Sequence, residues 1–88
     1  MMTQNQQLFI NSICTAIVAG DFAMFTNPAN CGANFKWDEF ADMMANRCRT
    51  DIFMYVKLTK KNTAEVQAHA ELIGRTVATD LMWRARTV

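Results

Sequence analysis

One charged side chain, Asp21, stands in the first 35 residues of this chain, and the other sixteen follow it. No Lys or Arg precedes Lys36. The uncharged stretch mixes amides (Gln4, Asn5, Gln6, Gln7, Asn11) with large apolar groups (Leu8, Phe9, Ile10, Ile13, Ile17, Val18, Phe22, Met24, Phe25). Solvated protein surfaces are normally covered by charges of both signs, so such a segment is built to touch something.

The chain has 88 residues, room for one domain. Folding at this length buries only ~60–65% of the extended surface, which leaves a thin stability margin. A 51% hydrophobic composition with three Gly and one Pro is far from a disordered profile. Small apolar-rich domains commonly complete their core by self-association, which makes a homodimer the default expectation. The net charge is +1, and residues 36–88 carry nine bases against seven acids, or +2. Neither value supplies a general field for nucleic acid or an anionic membrane.

Cys14, Cys31 and Cys48 are odd in number and widely spaced, unlike a secreted disulfide framework. Residues 8–20 resemble the apolar part of a signal peptide, but no basic residue precedes them and Asn11 and Ser12 interrupt the run. A membrane span needs ~20 apolar residues, which are absent. A cytoplasmic protein with reduced thiols and no membrane partner is expected.

Thr3 and Gln6 form a capping-box pattern. The helix they open is predicted to run from Gln4 to Ala19, with Gly20 as a left-handed stop. Its apolar residues, Phe9, Ile10, Ile13, Cys14, Ala16, Ile17 and Val18, cover about half the circumference, with Leu8 apart from them. That breadth implies contacts on two sides. Residues 21–35 read as a loop with turn chemistry at Asn27-Pro28 and Cys31-Gly32, and a helical turn over Asp21–Phe25.

A second helix, capped by Asn34, is predicted through Arg49. Trp37, Phe40, Ala41, Met44 and Cys48 form its stripe, while Asp38, Asp42 and Asn46 face away. Ile52–Thr59 alternates like a strand, but a lone strand leaves its backbone groups unpaired. It is either a strand that pairs with its copy in a dimer or, as the continuation of the stripe into Ile52 and Tyr55 favours, a short helix. The last helix runs from Asn62 to Arg86, with Asn62 and Glu65 at its cap. Val66, Ala70, Ile73, Val77 and Leu81 form its stripe, and Glu71–Arg75 and Asp80–Arg84 are i,i+4 pairs. Gly74 in its middle points to a close helix crossing or a kink. The fold class is therefore mainly α: a small bundle of three helices, with residues 50–60 a short helix or a single dimer-forming strand.

Catalytic and metal-binding patterns are weak. Cys14, Cys31, Cys48 and His69 make a Cys3His inventory, yet no C-x2-C pair is present, and Cys14 and Cys48 sit on apolar faces as small hydrophobes. A Cys31–His69 nucleophilic pair would have to stand without any supporting motif. Asp38, Glu39 and Asp42 spread over an exposed helix side. No enzyme, cofactor or metal is expected.

Two binding functions remain. The favoured one is a non-enzymatic interaction module, an adaptor or inhibitor of a larger protein, in the size class of small phage and mobile-element factors. Its contact residues would be Phe9, Ile10, Phe22, Met24 and Phe25. The alternative is a nucleic-acid-binding regulator using Arg47, Arg49, Lys57, Lys60 and Lys61, with Phe53 and Tyr55 interleaved for stacking. Asp51 inside that cluster and the balanced charge weigh against it. Met-rich composition and a register-setting Asp80–Arg84 pair beside Trp83 would both suit a protein partner.

Overall fold

The computed structural model describes residues 2–27 and 36–86. Three helices, α1 (Gln4–Thr26), α2 (Trp37–Asp51) and α3 (Thr63–Arg86), form a bundle, with a 3-10 turn at Ile52–Met54 following α2. Asn34 lies outside the described residues, and α2 starts after Lys36 without a side-chain cap.

The α1 N-terminus is closed by the expected reciprocal box. The Gln6 N–H donates to Thr3 Oγ1 at 3.1 Å, and the Thr3 N–H donates to Gln6 Oε1 at 2.9 Å. Gly20 does not stop the helix, which continues to Thr26 and takes in residues read as loop. A glycine ends a helix only where the chain gains from turning left-handed. Here the following turns are worth more as helix, because they carry Asp21 to Arg47 and set Phe22 and Phe25 against Phe40. The end comes at Asn27, extended as the residue before a proline should be, while Thr26 Oγ1 donates to the Phe22 carbonyl.

On α2, Phe40, Met44 and Cys48 are fully buried and Ala41 is partly so, as the stripe requires. Asp38, Asp42 and Asn46 are exposed. Ile52 extends the buried line, but Tyr55 points outward. The described residues contain no strand. The alternation in 52–59 resolves into one 3-10 turn and an irregular connection in which Val56 and Leu58 are tucked against the core. The Thr59 N–H and hydroxyl both donate to Asn62 Oδ1, at 2.9 and 3.0 Å, and this knot precedes α3.

The inner line of α3 is Val66, Ala70, Gly74 and Ala78, one step round from the predicted stripe, whose larger members Ile73, Val77 and Leu81 flank it half-buried. Small residues are inside because α2 lies very close. A Cβ on Gly74 would fall 2.6 Å from the Met44 carbonyl oxygen and 2.9 Å from Cys48 Sγ. The crossing, and not a kink, accounts for this glycine. Arg75 reaches across to Asp42 on α2, so the expected partner within its own helix gives way to an inter-helix tie. Asp80–Arg84 forms as predicted at 3.0 Å.

α1 lies mainly on α3. His69 Nε2 meets Asn11 Oδ1 at 2.7 Å, and the Met2 N–H donates to Glu65 Oε1 at 3.0 Å, which holds the exposed Glu65 carboxyl below its ordinary range. The core joins all three helices through Ile10, Cys14, Val18, Phe40, Met44 and Val66.

The two helical glycines should respond oppositely to a methyl group. Gly74→Ala meets backbone and should destabilise by about 2 kcal/mol, an overpacking cost. Gly20→Ala meets nothing within 4 Å and should stabilise by about 0.5–1 kcal/mol through helix propensity. Urea denaturation of the two variants checks both signs.

Candidate functional site

The continuation of α1 through Gly20 makes a 23-residue helix with one buried edge: Ile10, Cys14, Val18 and Asp21. Spaced by three or four, these lie on one stripe. The opposite side, Ser12, Thr15, Ala16, Ala19, Gly20 and Ala23, is exposed. So are Leu8 (57%), Phe9 (52%) and Met24 (46%), large apolar groups towards its two ends. α1 has the length and composition of a membrane-crossing helix, and most of its apolar stretch is not buried. The expectation that such a stretch is absent is corrected here: Asn11, Ser12 and Thr15 interrupt the apolar run, but they add no charge and the Ile, Val and Phe side chains around them keep the helix apolar on average.

The five predicted contact residues separate. Phe9 and Met24 stand exposed. Ile10 is fully buried and is a core residue, so it leaves the surface set. Phe22 and Phe25 are half-buried against Phe40, with ring centroids 5.6 and 6.5 Å apart, and act first as packing. Leu8, set apart from the apolar arc in the sequence, belongs to the exposed surface. Its signal was that separation, a large apolar group on a charge-free helix but off its buried stripe.

The one charge of the N-terminal segment is spent internally. Asp21 is buried and pairs with Arg47 on α2, and Arg47 Nε also donates to Asp51 Oδ2 at 3.1 Å. The Asp51 bond first, with the Asp21 charge and bond adding to it, holds the Arg47 guanidinium more firmly charged, against a smaller opposing effect of burial. A buried carboxylate without a partner is costly, so a lone acid in an apolar segment should have announced a distant base.

This pairing removes Arg47 from the basic cluster. Arg49, Lys57, Lys60 and Lys61 are exposed, as are Phe53 and Tyr55. Of the Cys3His set, the described members do not gather: His69 bonds Asn11, and Cys14 meets Cys48 in the core. Cys31, and with it the Cys31–His69 pair, lies outside the described residues. No group of three metal-capable side chains gathers among those described. Asp38, Glu39 and Asp42 are solvated, with Asp42 engaged by Arg75.

Arg47→Met should leave Asp21 facing an apolar chain and cost about 1–2 kcal/mol, less than a fully buried pair because Arg47 is 45% exposed. Adding Asp21→Ala to that variant should recover part of the loss. A double-mutant cycle by chemical denaturation reads the coupling. The chain matches no family model, no curated protein and no solved structure, so its function has to be argued from these residues.

Proposed function

We propose that this is a non-enzymatic, cytoplasmic interaction module that binds a protein partner through the outer face of α1. The observation that carries this reading is a comparison within the molecule. All three helices bury one side, yet α2 and α3 turn charges outward (Asp38, Glu39 and Arg49; Arg75 and Asp80), whereas the outer face of α1 carries none. Folding does not ask for that difference. A partner surface that excludes water does.

The face offers Leu8, Phe9 and Met24 as anchors around a shallow strip of small residues. Completing the burial of one such anchor is worth about 1–2 kcal/mol, a part of the value of burying the whole side chain. A few anchors among neutral contacts are enough for a specific interface. The nucleic-acid alternative is weakened, since Arg47 is held by two carboxylates and phosphate contacts would rest on four bases.

Phe9→Gln and Met24→Gln test the proposal, because both sites are exposed and should change stability by less than about 0.5 kcal/mol. The double variant should lose self-association in native mass spectrometry, or lose a partner that the wild type captures. Phe22→Ala should instead lower the melting temperature. Unchanged association in the folded double variant would sink the reading. So would steeply salt-dependent DNA binding, or vesicle binding that the same two substitutions abolish.

A further inference from the structure

Cys14 on α1 and Cys48 on α2 are fully buried free thiols that the interaction reading leaves unused. They are 34 residues apart in the chain, and the Cys48 thiol lies 3.9 Å from the Cys14 carbonyl oxygen. The α2–α3 crossing enforces this meeting. Gly74 sits so close behind Cys48 that a Cβ there would fall 2.9 Å from its Sγ and 3.1 Å from its Cβ. The Cys48 side chain is thus backed by α3 and directed at α1.

We propose that Cys14 and Cys48 form a peroxide-reactive dithiol that closes to a disulfide joining α1 to α2. In the first step the Cys14 sulfur, as thiolate, attacks one oxygen of hydrogen peroxide. An S–O bond forms, the O–O bond breaks, and the departing hydroxide takes up the proton given by the thiol, leaving as water. In the second step the Cys48 sulfur attacks the Cys14 sulfenic sulfur. The S–S bond forms, the S–O bond breaks, and hydroxide leaves with the Cys48 proton as a second water. Two thiols lose two electrons in total, and one peroxide becomes two waters.

The environment orders these roles. The Cys48 hydrogen bond lowers the pKa of Cys14 against the opposing effect of burial, while that same bond and burial push Cys48 upward. Cys14 is the better thiolate and Cys48 the resolving thiol. Access requires α1 to lift locally from the one edge that it buries, Ile10, Cys14, Val18 and Asp21.

The test uses the full chain carrying Cys31→Ser, titrated with hydrogen peroxide and then alkylated under denaturing conditions. Intact mass should show both alkylation sites lost together with two hydrogen atoms, and peptide mapping should return a Cys14–Cys48 cross-link. The melting temperature should rise by about 10 °C, within the range expected for closing a loop of this length, and dithiothreitol should return it. A Cys48→Ala chain should hold a dimedone-trappable sulfenic acid at Cys14. If that variant misfolds, the cross-link mapping still decides. Two alkylatable thiols in a peroxide-treated chain of native helicity would overturn the proposal, as would disulfides only between molecules or sulfinic acid without a cross-link.

Discussion

The close approach of α3 to α2 at Gly74 sets the positions of the other parts. A missing side chain lets the Met44 carbonyl and Cys48 stand where a Cβ would be. That contact draws Ala70 and Ala78 onto the inner line and leaves Ile73, Val77 and Leu81 to close its sides. Two helices locked this tightly form a rigid platform, since tight packing resists sliding more than loose packing does. α1 is laid over it. Ile10, Cys14 and Val18 join it to the core shared with α2 and α3, and a few polar ties hold its edges.

Asp21 and Arg47 fix how α1 settles on that platform. An apolar helix on an apolar groove has little to set its rotation or register, because the hydrophobic effect is not directional. One buried carboxylate changes that. It can be satisfied only where Arg47 reaches it, and Arg47 is in turn held by Asp51 one turn along α2. The arrangement discriminates against slipped packings more than it adds net stability, in keeping with the high desolvation cost of buried ions. The Asn11–His69 contact plays a related part nearer the start of α1.

How much of this was legible depends on the range of the interaction. Local chemistry read correctly: the Thr3–Gln6 box, the α2 stripe of Phe40, Met44 and Cys48, and the Asp80–Arg84 pair all follow from neighbours within four residues. Gly74 was legible as a crossing because a mid-helix glycine carries a cost that packing must offset. Errors came where distant contacts override local preference. Gly20 looked like a stop, but Phe22 and Phe25 find Phe40 only if the helix runs on. Residues 52–59 left a short helix and a strand open, and with no partner strand among the described residues the favoured short helix forms, as a 3-10 turn over Ile52–Met54. Arg75 had an acid in its own helix and found Asp42 on another. Of the candidate contact residues, Phe9 and Met24 stand exposed while Ile10 is buried, because periodicity gives a stripe's width without saying which edge faces in.

The two helical glycines carry the functional argument further than composition could. Gly74 has an internal reason, and Gly20 has none, with open space where its side chain would be. Around Gly20 lie Ala16, Ala19 and Ala23, also exposed, on a helix without an outward charge. Selection for folding alone would put alanine at Gly20 and lysine or glutamate beside it, raising both helix propensity and solubility. The inner face of α1 cannot explain their absence, since outward positions do not touch the core. A helix of 23 residues runs about 34 Å, so this uncharged strip is long for a molecule of 43 × 21 × 17 Å. A surface that long, shallow in the middle and apolar towards both ends, is shaped to lie against another surface rather than against water.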